Sequence, residues 1–160
     1  MDFQNSQDTN QDYTKINFTQ YIKSPSAVVW QLITNPLFME KWLSDDKIHV
    51  ESNWKNGSPI IFSGMMHGIY LYNKGIILQF TPLICFKYNY ISNLSNLPDV
   101  PENYTKICFT LNENNAGVIL ELEISEINSY VDYKHLEMYW KPTLNIIKKF
   151  AESELLLLNE

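Results

Sequence analysis

Apolar positions along the chain change their period several times, and each change marks an element. Ile16, Phe18 and Ile22 recur at even spacing through TKINFTQYIK, the alternation of a half-buried strand. Ser24-Pro25-Ser26 then offers a hydroxyl N-cap with proline at the first helical position. Ala27, Val28, Trp30, Leu32 and Ile33 follow at helical density, which predicts a short helix over about 25–33. Asn35-Pro36 repeats the start signal before LFMEKWL, where Leu37, Lys41 and Trp42 predict a second short helix. From residue 47 the text turns to strands: KIHVES, PIIFSGMM, GIYLY, a break at Asn73-Lys74-Gly75, IILQF, and ICFKYNYIS. Asn56-Gly57 predicts a type I′ hairpin turn, since that turn needs positive φ, which Asn and Gly tolerate best.

The stretch SNLSNLPDVPEN has no periodicity and two prolines, so it predicts an exposed loop. Two final strands, YTKICFTL and VILELEIS, flank a turn at Asn114 to Gly117. In the second, Val118, Leu120, Leu122 and Ile124 alternate with a mostly polar face, as in an antiparallel sheet wetted on one side. Beyond them Tyr133, Leu136, Trp140, Leu144, Ile147, Ala151, Leu155 and Leu158 fall three or four apart, the apolar stripe of one long helix. Pro142 sits inside that stripe and cannot donate to the Met138 carbonyl, so a kink near 138–142, or a start displaced to that point, is expected. Residues 1–12 hold almost nothing apolar to bury and predict a disordered tail, with 13–160 forming a single domain.

The order of these elements predicts an α+β helix-grip fold. A curved antiparallel sheet of about six to seven strands wraps around the C-terminal helix, and two short helices follow the first strand. A helix laid across a concave sheet tends to leave a pocket between them. Which face the strands between residues 60 and 91 turn inward stays open at this level.

Charge narrows the partners. The 160 residues carry 12 Lys, no Arg and 18 acids, a net charge of −6, which opposes the counterion release that drives nucleic-acid binding and argues equally against an anionic membrane surface. The N-terminus lacks the basic and apolar parts of a secretory signal, and no run approaches the ~20 apolar residues of a membrane span. A cytoplasmic protein is expected. There Cys85 and Cys108, in separate strands, behave as small buried hydrophobes and not as a structural disulfide.

Specific chemical motifs are missing. HExxH, CxxC, GxSxG, phosphate-cradling Gly-rich loops and EF-hand spacing do not occur, so neither a cofactor nor a metal is expected. His49, His67 and His135 read as solvated or hydrogen-bonded histidines. Glu121 and Glu123 share the face opposite the Leu stripe, so they belong to the sheet exterior, and Asp45-Asp46 fall short of the six to eight oxygens calcium takes.

The aromatic and Met inventory carries more. Trp42, Phe62, Met66, Tyr72, Tyr88, Tyr90, Phe109, Met138 and Trp140 fall on elements expected to face the gap between sheet and helix. A filled core and a ligand pocket both use such residues, and the Tyr residues among them tilt the balance toward a pocket, which needs a few polar groups to orient its ligand.

Several stretches resemble one known family. SPSAVVWQLITNPLFMEKW resembles its opening, a capped helix ending in Trp before a Thr-x-Pro turn and a second Trp. NWKNGSPIIF, KGIILQFTP and NLPDVPENYTKICFTL are similar to its later strands and loop, and Trp140, Leu144, Ile147 and Lys148 to its final helix. Over about residues 14–152 the chain thus resembles the activator of 90-kDa heat-shock protein ATPase-like family of the START-like (SRPBCC) superfamily. The resemblance implies a START-like helix-grip domain with a pocket for an apolar or lipid-like small molecule. Tyr139 stands where the family often has Gly, so it reshapes the pocket it would line.

Three functions follow as expectations. The first is non-catalytic binding of a small apolar or amphipathic ligand under the C-terminal helix. The second, from the family name and the acidic surface, is a co-chaperone-like interaction with a heat-shock ATPase. The third is a small-molecule enzyme using pocket Tyr or His as acid and base. Monomer and homodimer are both open.

Overall fold

The computed structural model describes residues 11–158, with side chains through Ser153. Strand β1 (Ile16–Ile22) is followed by helices α1 (Ser26–Thr34) and α2 (Pro36–Met39). Strands β2 (Ile48–Ser52), β3 (Pro59–Met66), β4 (Ile69–Thr81) and β5 (Cys85–Ser92) come next. Two single 3-10 turns, Asn93–Ser95 and Pro101–Asn103, sit in the loop before β6 (Thr105–Asn114), β7 (Gly117–Ser125) and the long helix α3 (Tyr130–Leu158). The seven strands form one antiparallel, curved sheet in the order β1-β7-β6-β5-β4-β3-β2, so β1 and β2 are its edges. Among the described residues no helix is long and apolar enough to cross a membrane.

Period-two alternation decides what each strand buries. Ile107, Phe109 and Leu111 of β6 and Val118, Leu120, Leu122 and Ile124 of β7 point into the concave face, where α3 lays Tyr133, Trp140, Leu144, Ile147 and Ala151 against them. One helix face suffices because these positions are three or four apart. The α1 residues Val28, Val29, Leu32 and Ile33 close one end of the same core.

Several local expectations change. Ser24 does not cap α1, whose N-cap is Pro25 without a side-chain bond; its buried hydroxyl instead donates to the Ala151 carbonyl at 3.0 Å, fastening β1 to α3. Asn35 does cap α2, accepting from the Leu37 N–H at 3.0 Å, but that helix ends at Met39 and Leu37 is exposed. The break expected at Asn73-Lys74-Gly75 is absent, because β4 runs unbroken for 13 residues. Gly75 is there for space: a Cβ would stand 1.7 Å from the Asn89 carbonyl oxygen of the adjacent strand. The turn with two positive φ values is His67-Gly68, at 52° and 80°, and this one joins β3 to β4. At Asn56-Gly57 only Gly57 has positive φ, and Asn56 Oδ1 accepts from the Phe80 N–H at 2.6 Å, holding the loop on β4 beside its register shift.

Helix α3 starts at Tyr130, well before Pro142, and continues through it. The proline lies on the exposed side, where water can replace the bond it removes, and the Thr143 hydroxyl donates to the Tyr139 carbonyl nearby. Of the predicted tail, residues 1–10 lie outside the described residues. Gln11 Nε2 donates to the Tyr133 hydroxyl at 3.2 Å, and Asp12 accepts from the Thr14 N–H. The Leu155 and Leu158 side chains of the stripe also lie outside the described set.

Candidate functional site

Between the concave sheet and α3 the core does not close. A cavity of about 180 Å³ is lined by Leu43, Ile48, Phe62, Met66, Leu71, Asn73, Tyr88, Tyr90, Ile107, Leu136, Tyr139 and Trp140. Strands β2 to β6 supply one wall through their inward positions, and α3 supplies the other through Leu136, Tyr139 and Trp140. The chain leaving α2 contributes Leu43, whose carbonyl accepts from the Tyr139 hydroxyl at 2.6 Å. That bond fixes the helix over the cavity, and the large Tyr139 side chain becomes part of its wall.

Two phenols have no such partner. The Tyr88 and Tyr90 hydroxyls make no hydrogen bond among the described residues, and neither does the buried Oδ1 of Asn73. Burial pushes the Tyr88 phenol well above its usual range, with Tyr90 and Tyr139 adding to the shift. Burial does the same for Tyr90, helped by the Asp132 carboxylate, and for Tyr139, where the Thr143 contact partly offsets it. All three phenols are therefore neutral at physiological pH and act as hydrogen-bonding groups. Among the described residues no Lys, Arg, His, Asp or Glu lines the cavity.

The ten residues singled out from sequence separate into three groups. Phe62, Met66, Tyr88, Tyr90, Tyr139 and Trp140 line the cavity. Trp42 and Phe109 lie behind it, packed on Trp140 with ring centroids 5.9 and 5.7 Å away, and the Trp42 indole N–H donates to the Leu32 carbonyl at 2.8 Å. Tyr72 and Met138 face away, contrary to expectation. Tyr72 follows the inward Leu71 and so projects from the convex face, where it stacks on Tyr70. Met138 is two positions from both Leu136 and Trp140, roughly 200° around the helix, and is 72% exposed. Asn73 was missed because reading residues 73–75 as a break hid the inward stripe Leu71, Asn73, Gly75, Ile77. Leu43, Ile48, Leu71, Ile107 and Leu136 were missed because ordinary aliphatic residues carry no signal that separates a wall from a core.

The other candidate groups gather no chemistry. His49 is exposed beside Glu40 and Glu51, His67 is in the hairpin turn beside Asp46, and no cluster suited to a metal ion occurs among the described residues. His135 borders a second, more polar hollow of about 210 Å³ together with Asp132 and Asn128, next to the cavity and sharing Tyr90 and Leu136 with it. Cys85 and Cys108 are free, on the convex face, with Sγ atoms 3.8 Å apart across diagonal positions of β5 and β6. Burial pushes the Cys85 thiol up to about 11, the neighbouring Cys108 adding to it. A wider, open groove of about 720 Å³ on the same face takes in Tyr72, Lys74, Asp99 and Tyr104.

Comparison with known proteins points one way. A family model described as activator of Hsp90 ATPase homolog 1-like protein matches residues 23–152. The solution structure of ChR145 from Cytophaga hutchinsonii is 32% identical, with 88% of this chain and 95% of that one aligned at a TM-score of 0.75. The crystal structure of CV1439 from Chromobacterium violaceum, at 17% identity, aligns over 87% of this chain and 97% of that one with a TM-score of 0.75. The solution structure of an Aha1 dimer from Colwellia psychrerythraea, 18% identical, aligns over 86% and 96% at 0.67. At these lower identities the likeness shows the fold alone. No curated protein matches the chain.

Proposed function

Because the chain belongs to the activator of Hsp90 ATPase homolog 1-like family, we propose that it uses the family's helix-grip fold as a binding module, holding one small, mainly apolar molecule between sheet and helix without transforming it. The observation that carries this reading is the cavity itself. A core of this composition gains by closing, since filled space adds dispersion contacts and removes apolar surface from water. Here about 180 Å³ stays open beside Trp140 and Phe62. The wall is apolar with a few polar atoms, the usual make-up of a small-molecule site. Its titratable members are phenols that burial keeps protonated, which suits them to orienting a ligand and ill suits them to taking a proton at neutral pH.

The test is a titration with Nile red, an uncharged apolar dye, followed by its own emission and by tryptophan quenching. Saturable one-to-one binding is expected, lost in Leu136→Trp, which puts an indole into the space from α3. Unsaturable binding, or equal binding by the variant, would refute the proposal.

The family's description supports a second reading, interaction with a heat-shock ATPase. Stimulated ATP turnover on adding this protein to such a chaperone supports it, and unchanged turnover removes it. The dimer named for the Colwellia neighbour makes a homodimer one assembly to test, and sedimentation distinguishes it from a monomer.

A further inference from the structure

One polar side chain interrupts an otherwise apolar inward stripe on β4. Asn73 stands between Leu71 and Gly75, opposite Phe62 on β3 and Ser92 on β5, and its Oδ1 is buried without a partner. An amide oxygen left unpaired costs stability, and an aliphatic residue in the same stripe would avoid the cost. The phenol of Tyr90, on the diagonal inward position of β5, is unpaired as well, and so is that of Tyr88 one inward position further on. Asn73 borders the cavity, and its broad, two-fold last torsion lets the oxygen turn toward a bound ligand, with the amide nitrogen taking the buried position.

These atoms specify a chemistry. The amide oxygen wants a donor and the phenols can supply one, and a hydroxyl group is an uncharged group that satisfies both through a single atom. A charged ligand finds no counter-charge to offset its desolvation, because the described residues of the wall include neither basic nor acidic side chains. Building on the ligand-binding reading above, we propose that the cavity selects a neutral, mainly apolar molecule bearing a hydroxyl group, which donates to Asn73 Oδ1 and accepts from the Tyr88 or Tyr90 phenol.

Three probes of one shape separate the possibilities: naphthol, methylnaphthalene and naphthoate, substituted at the same ring position, each titrated against wild type, Asn73→Leu and Leu136→Trp. Wild type is expected to bind naphthol about tenfold more tightly than methylnaphthalene, the equivalent of one net hydrogen bond, and naphthoate more weakly than either. Asn73→Leu is expected to abolish the preference while still binding methylnaphthalene. If wild type binds both neutral probes equally and Leu136→Trp blocks both, the hydroxyl requirement is wrong and the binding module stands. If neither neutral probe binds, or Leu136→Trp binds as wild type does, the binding module falls and the hydroxyl requirement falls with it. The wild-type comparison decides the matter even where a variant does not fold.

Discussion

Replacing Asn73 by Leu should make the ligand-free protein more stable, an unusual outcome for a change in a buried strand. The wild-type carboxamide leaves Oδ1 buried and unpaired, a cost of about 1–3 kcal/mol. Leucine is larger, but the side chain borders about 180 Å³ of open space, so the added carbon atoms have room and no overpacking penalty applies. Allowing for imperfect packing in a partly open cavity, the net gain should be about 1–2 kcal/mol, or a rise in Tm of about 3–6 °C for a domain of this size. Guanidinium denaturation of protein stripped of ligand by unfolding and refolding is the assay. The midpoint should rise with an unchanged slope, the sign of a stability change without a change in surface exposed. A variant no more stable than wild type would show that the oxygen is paired in solution, by water or by a turned neighbour, and would remove the strain argument. Asn73→Asp supplies the sign control. Burial raises a carboxyl's folded-state pKa, so this variant should be destabilised at neutral pH and recover as pH falls through the raised folded pKa to below about 3.9, where the unfolded state is protonated as well.

The other expectations are separate from the cavity. The Glu152 carboxylate accepts from the Lys23 N–H at 2.9 Å and from Lys148 at 2.8 Å, and the Lys148 bond holds it below its usual 4.5. Its contribution is present above that value and lost as pH falls through the lower folded pKa, so Glu152→Gln should cost a few tenths of a kcal/mol near neutrality, with the difference vanishing in acid. A difference that persists in acid would mean the effect is not electrostatic. Gly75→Ala should cost several kcal/mol or abolish folding, since its Cβ would meet the Asn89 carbonyl at 1.7 Å, and a variant melting within a few degrees of wild type would contradict that close approach. Iodoacetamide labelling of Cys85 in the folded protein, read by peptide mass spectrometry, should climb about tenfold per pH unit between roughly pH 8 and 10, because its thiol titrates only at about 11. A plateau below pH 10 would be evidence against the burial that raises it.

The fold was legible because its signals are local. The spacing from Tyr133 to Ala151 sets out the buried face of α3, and the alternation Val118, Leu120, Leu122, Ile124 sets out that of β7. Asn35-Pro36 marks α2 because the cap and the helix start are adjacent in the chain. Legibility failed where a partner distant in sequence makes the decision. Ser24 has the residue type and position of a cap, yet its hydroxyl is drawn to the carbonyl of Ala151. Asn73-Lys74-Gly75 reads as a turn, yet the segment continues β4, and its glycine answers to the close approach of the Asn89 carbonyl on β5.

The candidate site divides along the same line. The sequence by itself determined the element order, the single antiparallel sheet and the stripe that faces it, since period, caps and turn chemistry follow from covalent geometry over a few residues. It also supplied the stock of aromatic side chains at the helix–sheet gap. Tertiary structure alone decided that Asn73 points inward and Tyr72 outward and that the two cysteines meet across β5 and β6. It also decided that the space bounded by Tyr88, Tyr90 and Tyr139 stays open. Strand facing depends on register accumulated through β3, β4 and β5, and an unfilled volume depends on how side chains from five strands and a helix meet, sums over distant residues that no local pattern contains.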